Sequence, residues 1–283
     1  MRDYLIINGR NLKEFGVYAY GNSIHDFPER VVEKISVLGR TGDLLVDKGK
    51  WENIDVEYSM VLLDGANLDY LKAFLLSLRG YVRIESTFEP DYYRMGRFLD
   101  ASSPKVHKEA ATVTLTFDCK PQKYLKSGEN ELCRLGTNYE TQVTIHNPTM
   151  YTAKPLLKVA AENTVQTATF SVTNYVNIVN SGGGTGSIDV GHSVVTIKRT
   201  PGKFICIDCE SGMAYDDAWG ESLMDAIVSV DGGDFPQIMQ KRYNGEPLNQ
   251  SGDTRRFVQD SYTVIEAGEG MYFISVTPRW WTL

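Results

Sequence analysis

The segments DVEYSMVL at residues 55–62 and TVTLTFDC at residues 112–119 decide how the first half of the chain folds. Both alternate apolar with mostly polar side chains. The apolar positions are Val56, Tyr58, Met60 and Leu62 in the first segment and Val113, Leu115, Phe117 and Cys119 in the second. Successive side chains of a strand point to opposite faces, so each segment predicts a strand with one buried and one largely polar face.

A single helix is predicted between these strands, from about Ala66 to Arg79. Leucines at positions 68, 71, 75 and 78 recur at helical spacing and form one apolar stripe. Asp64 or Asn67 can cap the start of the helix, and Gly80 follows its end. We expect the leucine stripe to pack on a sheet.

A tight turn at Gly39–Asp43 is the first candidate contact surface. Gly39 and Gly42 give the backbone the freedom that a tight connection needs. Arg40 and Asp43 can brace one another or a neighbouring surface. The alternative is an ordinary surface ion pair, which contributes only about 0 to 1 kcal/mol.

The segment Phe88–Arg97 is the second candidate contact surface, and it is predicted to be a loop. Its rings and guanidinium groups are typical of subunit and partner contacts. The alternative is a hairpin whose rings cover its own core. The candidates for an assembly interface are therefore Arg40, Asp43, Tyr92, Tyr93 and Arg94.

The chain is long enough for two domains, and polar and turn residues predict a boundary between Ser127 and Thr137. The predicted domains are 1–132 and 133–283. In the second domain, alternating pairs predict the short strands of a sandwich: Leu157 with Val159, Phe170 with Val172, and Val194 with Thr196. The apolar segment Met271–Leu283 is expected to dock as a closing strand, and Ser181–Ser187 is expected to be a flexible loop.

The composition limits the class of protein. The net charge of -7 argues against a general nucleic-acid binder, whose phosphate contacts need a basic surface. Four cysteines, at positions 119, 133, 206 and 209, are too few and too unevenly spaced for a secreted disulfide framework, so we expect them to be reduced. The N-terminus does not resemble a signal peptide, and no apolar run reaches the roughly 20 residues of a membrane span. We expect synthesis in a cytoplasm and no membrane insertion.

No sequence motif indicates catalysis, a metal or a cofactor. The glycine-rich segment 181–187 lacks the Gly-Lys-Ser or Gly-Lys-Thr ending of a phosphate-binding loop. Cys206 and Cys209 have the spacing of a zinc or redox pair, but no second pair answers them. The four histidines, at positions 25, 107, 146 and 192, are scattered. We therefore predict no catalytic, metal-binding or cofactor-binding residues.

Several short motifs, taken in order, resemble the distal tail (Dit) proteins of siphophages. Those that resemble the N-terminal domain of the family are Leu38–Leu44, Leu71–Leu75 with Gly80-Tyr81, Asp91–Arg94 and Phe117–Tyr124. Those that are similar to its C-terminal half are Asn147–Thr149, Ala153–Leu156, Ile207-Asp208 and Pro278–Trp281. The resemblance spans nearly the whole chain.

This resemblance implies a mainly β fold, with an N-terminal β-sandwich-like domain that carries one α-helix and a long hairpin, followed by a galectin-like β-sandwich. It implies a homo-hexameric ring at the phage tail tip, part of the virion, which joins the tail tube protein to a baseplate hub, tail-associated lysin or fibre protein. Tape-measure and receptor-binding proteins are further expected partners. Members of the family are not enzymes, and the resemblance implies neither a cofactor nor a specific nucleic acid.

Two other classes remain as alternatives. A carbohydrate-binding or receptor-binding adhesin would use the second sandwich, where Trp219 is able to stack on a sugar ring; burial of Trp219 in the core is equally compatible with its residue type. A glycoside or peptidoglycan hydrolase ranks third, because it requires two carboxylates facing one cleft about 5 to 9 Å apart. Neighbouring acids such as Asp216 and Asp217 do not establish that geometry.

Overall fold

A computed structural model describes residues 3–20, 27–63, 67–107, 110–180, 183–218, 220–232, 234–242 and 256–283. The chain forms two compact units, residues 1–125 with Leu283 and residues 126–282. The predicted boundary lay after Leu132. Both units are built mainly from antiparallel strands, which confirms the predicted mainly β class.

The first unit contains ten strands and one α-helix in its described residues. The strands are β1 Leu5–Ile7, β2 Arg10–Asn11, β3 Val17–Ala19, β4 Arg30–Ile35, β5 Leu44–Trp51, β6 Ile54–Leu62, β7 Val82–Ser86, β8 Tyr92–Ala101, β9 Lys105–His107 and β10 Ala110–Leu125. The helix, α1, spans Leu68–Ser77. A short 3-10 turn at Leu12–Phe15 precedes β3.

Seven of these strands form one curled antiparallel sheet in the order β2-β1-β7-β8-β10-β6-β3. An antiparallel bridge joins Asp3, just before β1, to Ala19 in β3, so the two sides of the sheet approach each other. Strand β9 adds to the start of β10. Strands β4 and β5 form a separate two-stranded sheet.

The inner face of the curled sheet is formed by the side chains that the sequence predicted to be buried. All four apolar positions of residues 55–62 and all four of residues 112–119 are buried. The register places Leu115 opposite Tyr58 and Phe117 opposite Val56, so the two alternating patterns coincide across the strand pair. The core of the first unit forms along this pairing.

The predicted helix is confirmed, with shorter bounds. The Asn67 side chain accepts a hydrogen bond from the Tyr70 backbone N–H at 3.1 Å and caps the helix start; Asp64, the other predicted cap, lies outside the described residues. Leu71 and Leu75 are buried against the sheet. The apolar stripe therefore packs as expected.

The second unit contains eleven strands in its described residues. They are β11 Cys133–Leu135, β12 Gln142–Ile145, β13 Leu156–Ala161, β14 Thr167–Asn180, β15 Thr185–Lys198, β16 Ile205–Asp208, β17 Met213–Asp216, β18 Ile227–Asp231, β19 Arg256–Ala267, β20 Met271–Thr277 and β21 Trp281–Thr282. Two five-stranded antiparallel sheets result, in the orders β11-β20-β13-β16-β17 and β12-β19-β14-β15-β18. They contact each other through β20 with β14 and β19, as in a sandwich.

The alternation that predicted this sandwich holds for β13 and β14, where Leu157, Val159, Phe170 and Val172 are buried. It is wrong by one residue in β15, which buries Val195 and Ile197 rather than Val194 and Thr196. The predicted closing strand forms as β20 and lies between β11 and β13. In the predicted loop 181–187, residues 181–182 lie outside the described residues, and Thr185–Ser187 already belong to β15.

Gly96 in β8 lies at a closely packed position of the first sheet. An added Cβ would lie 2.7 Å from Cys119 Sγ and 2.7 Å from Ile84 Cδ1, and both side chains are buried. We expect Gly96→Ala to lower the free energy of unfolding of this unit by about 1–3 kcal/mol, because overpacking forces buried neighbours to shift.

Chemical denaturation, followed through the transition of the first unit, measures the effect. Gly186→Ala is the matched control, since Gly186 also lies in a strand and an added Cβ would meet nothing within 4 Å. Equal stability of the two variants would contradict the close packing at Gly96.

Candidate assembly interface

The β4–β5 hairpin carries the first two predicted interface residues at its tip. Gly39 and Gly42 both have positive φ, 81° and 84°, as the predicted tight turn requires. The Arg40 N–H donates a hydrogen bond to the Val37 carbonyl at 3.1 Å and closes the turn. Arg40 and Asp43 are exposed, and the described residues show no ion pair between them. They are therefore accessible to a neighbouring surface.

Apolar side chains are concentrated on this hairpin. Leu38 is fully exposed, and Leu45 is 60% exposed. The other exposed apolar residues of the hairpin are Val32, Ile35, Val37, Leu44 and Val46. An exposed apolar group of this size on one element is typical of an interaction surface.

The strand register shows that both faces of the hairpin are apolar near its tip. Ile35 pairs with Leu44 on one face, and Lys34 pairs with Leu45 on the other. A ribbon that is solvated on one side would alternate apolar and polar residues, with one face polar. Each face of this tip therefore exposes apolar surface that a partner can cover.

Charged pairs hold the base of the hairpin, in contrast to its tip. Arg30 pairs with Asp47, and Lys48 pairs with Glu33 across the strands. The Gly49 N–H hydrogen bond, together with the Arg30 guanidinium, holds the pKa of Asp47 below its usual value. The base is thus compatible with water, and the most exposed apolar side chains, Leu38 and Leu45, lie towards the tip.

Sequence reasoning identified Arg40 and Asp43 on this element but missed its apolar residues. The available signal was the run Leu44-Leu45-Val46, which does not alternate with polar residues. A run of apolar residues without alternation predicts a strand that is covered by protein on both faces. The hairpin itself does not supply that cover.

The other three predicted interface residues lie in a strand rather than a loop. The turn ends at Asp91, and Tyr92, Tyr93 and Arg94 begin β8. Lys123 of β10 contacts this segment twice. Its ammonium group lies 4.7 Å from the centre of the Tyr92 ring and pairs with Glu89. Strand β10 continues to Leu125 and pairs with this segment, a length that the sequence pattern did not predict.

The rings and the guanidinium of this segment contact their own unit. Tyr93 stacks on Tyr124 with ring centroids 5.3 Å apart, and the Arg83 guanidinium lies 3.9 Å from the Tyr93 ring. Arg94 is only 6% exposed. These contacts fit the alternative in which the rings cover their own core; a role of Tyr92, Tyr93 and Arg94 at an interface stays a prediction.

Arg94 points into the end of the first core. Burial raises the pKa of Tyr58, and burial likewise raises the pKa of the Cys119 thiol to about 12; the positive charge of Arg94 opposes both shifts. Both neighbouring groups are therefore protonated at neutral pH. The Arg94 guanidinium therefore lies next to two neutral groups of this core.

In the second unit, motifs from distant parts of the sequence meet around Arg279. Its guanidinium donates to Asp208 Oδ1 at 2.7 Å, which joins the Ile207-Asp208 and Pro278–Trp281 motifs. Arg279 has a left-handed backbone, with φ 57°, a conformation that costs a non-glycine residue on the order of 1 kcal/mol or more. Its N–H donates to the Gly128 carbonyl at 2.8 Å and helps to hold that conformation.

A further C-terminal motif, Asn147–Thr149, is linked through Tyr151 to the Pro278–Trp281 segment. Asn147 Oδ1 accepts hydrogen bonds from the backbone N–H and the hydroxyl of Thr149, both at 2.8 Å. The Asn147 amide also donates to the Tyr151 carbonyl, and the Tyr151 ring stacks on Trp281 at 4.4 Å. The motifs of this half therefore stabilise the fold of the second unit.

The fold of the whole chain is similar to one solved structure of known role. That structure is the Dit protein (gp 19.1) of phage SPP1, described as a paradigm of the hub adsorption apparatus in phages that infect Gram-positive bacteria. The TM-score is 0.55 at 15% sequence identity, and the match covers all of both chains. No family model and no curated protein sequence matches the chain. The likeness is one of fold.

The remaining chemical candidates gain no support from their surroundings. Cys206 and Cys209 are buried, and burial raises the pKa of the two thiols to about 11 and about 12. Within the described ranges no group of three or more histidine, cysteine or acidic side chains is placed to hold a metal ion. Nor does any helix in those ranges have the length and apolar character to cross a membrane. His25 and Trp219 lie outside the described residues.

The Asp208–Arg279 pair gives a testable pH dependence. Burial by itself raises the pKa of Asp208, but the Arg279 guanidinium and the N–H groups of Glu210 and Ser211 outweigh it and hold the pKa below its usual value. A lowered folded-state pKa adds stability above the unfolded value of about 3.9, and this stability is lost as the pH falls through the folded-state pKa.

We expect Asp208→Asn to lower the free energy of unfolding by about 1–3 kcal/mol at pH 7, the range for hydrogen bonds to charged groups. The variant should also lose less stability than the unchanged protein between pH 5 and pH 2. Urea unfolding across this range is the measurement, with the exposed Asp225→Asn as control. Parallel pH profiles for Asp208→Asn and the unchanged protein would contradict the assignment.

Proposed function

We propose that the chain is a distal tail (Dit) protein of a siphophage, a structural subunit of the tail tip. In this proposal six copies form a ring through the N-terminal domain, 1–132, while 133–283 form a galectin-like sandwich. The ring joins the tail tube to the baseplate hub, lysin or fibre protein, with tape-measure and receptor-binding proteins as further partners. The protein acts in the virion and catalyses no reaction.

The observation that carries this proposal is the β4–β5 hairpin, on a fold that resembles the SPP1 Dit protein over its full length. A two-stranded hairpin alone is marginally stable in water, and this one also exposes apolar side chains on both faces. Another protein that covers the tip would stabilise the hairpin and remove its apolar side chains from water. An assembly subunit gains from such an arm, whereas an enzyme has no evident use for it.

The proposed ring needs a contact between two different surfaces of the subunit. In this proposal the hairpin tip of one copy meets a different surface of the next copy. Such a heterologous contact repeats head to tail and produces a ring when the rotation closes. The adhesin alternative relied on Trp219, and the described residues offer nothing in its favour.

Light scattering on the purified protein tests the ring. We expect the mass of a hexamer at high concentration, and Leu45→Ser should raise the concentration needed for assembly about tenfold. This corresponds to about 1.4 kcal/mol, just below the roughly 1.5–3 kcal/mol for fully burying a leucine side chain, because Leu45 is already partly buried in the free subunit.

Met213→Ser is the matched control, because Met213 has the same 60% exposure on a strand of the second unit. It should assemble like the unchanged protein. A monomer at every concentration would contradict the ring, and equal effects of the two substitutions would contradict the role of the hairpin.

A further inference from the structure

An apolar cleft lies beside α1 in the first unit. Its walls are Leu68 and Leu75 of the helix, Val113 of β10, and the segment Ala101–Pro104 that follows β8. The cavity volume is about 220 Å³. A cavity of roughly 150 Å³ with apolar walls is large enough to hold benzene, so this cleft has room for one leucine side chain.

The cleft is a fixed feature of the sheet. The Ser102 N–H donates to the Thr114 carbonyl at 2.9 Å, and the Ser102 hydroxyl accepts from the Thr114 N–H at 2.8 Å. These bonds hold the chain after β8 against β10, away from the helix. Leu68 is consequently only partly buried on the core that it borders.

The hairpin tip presents a side chain of matching size. Leu38 is fully exposed, and it is followed by Gly39, around which no atom lies within 4 Å of an added Cβ. Leu38 therefore has open space around it at the tip. None of the described residues of its own unit shields that side chain from solvent.

Charges on the two surfaces are complementary. Arg40 and Asp43 lie two and five residues after Leu38. Asp69 and Lys72 are exposed on α1, three residues apart and therefore neighbours on the helix surface, and Lys72 also lines the cleft. Leu38 and the cleft each have one acidic and one basic residue nearby. The two surfaces can therefore meet with opposite charges in contact.

We propose that Leu38 of one copy inserts into the α1 cleft of the next copy, with Asp43 facing Lys72 and Arg40 facing Asp69. The inference rests on the proposed ring and specifies which two surfaces meet in it. The occupant is a second copy of this chain, because the projecting leucine and the cleft that fits it occur on the same unit. Such a contact is heterologous and propagates around a ring.

Cross-linking tests the inference directly. In Leu38→Cys/Ser103→Cys, mild oxidation should join successive copies into a ladder that ends at a covalent hexamer, since Ser103 lies at the exposed mouth of the cleft. Each single variant should give dimers at most. The native thiols interfere little: Cys119, Cys206 and Cys209 are buried, and burial raises the pKa of Cys133 to about 11.

The control pair is Leu38→Cys/Met213→Cys, which places the second thiol at an exposed position far from the cleft in sequence. A ladder that also forms in this pair would overturn the inference. Light scattering separates the two proposals: a ring without the Leu38–Ser103 ladder refutes the inference alone, whereas a monomer refutes the ring itself.

Charge reversal gives an independent measurement. Asp43→Lys and Lys72→Asp should each weaken assembly by at least about two- to fivefold, because each change removes one exposed ion pair and places like charges opposite each other. The double variant should recover the affinity of the unchanged protein, because the pair is restored with its charges exchanged. Additive losses in the double variant would contradict the proposed contact.

Discussion

The pairing of β6 with β10 is the interaction on which the first unit depends. Along it four buried side chains of β10, Val113, Leu115, Phe117 and Cys119, face buried side chains of β6. A slip of one residue would turn every apolar side chain outwards, so the burial itself fixes the register. Strand β10 also pairs with β8 on its other edge. The curled sheet, the bed for α1 and the position of the α1 cleft all follow from this one strand pair.

The β4–β5 hairpin differs from this strand pair, because its apolar side chains are exposed. Its base is held by cross-strand charge pairs such as Arg30 with Asp47, which tolerate water. Its tip exposes Leu38 and Leu45, which do not contribute to a core of their own unit. The folded unit therefore leaves apolar surface uncovered where a partner can bury it, and the proposed assembly role rests on this observation.

The second unit derives its stability from contacts between distant segments. Arg279 reaches Asp208 across 71 positions of sequence, while Trp281 stacks on Tyr151. The cost of the left-handed backbone at Arg279 is offset by hydrogen bonds to Asp208 and to the Gly128 carbonyl. The motifs around Arg279 and Tyr151 therefore stabilise the fold of this unit. The likeness to the SPP1 Dit protein is likewise one of fold.

The sequence by itself determined the elements whose side chains alternate clearly: the strands at residues 55–62 and 112–119, and the leucine stripe of α1. Burial has a single solution there, because apolar and polar groups occupy opposite faces. The pattern was ambiguous in β15, where Val194, Val195 and Ile197 are all apolar, and only the folded structure shows that Val195 and Ile197 are the buried pair. Only the tertiary structure decided that Arg94 enters a core and that Arg279 meets Asp208. An arginine is compatible with solvent, an interface or a buried site, and long-range pairing leaves no local pattern in the chain.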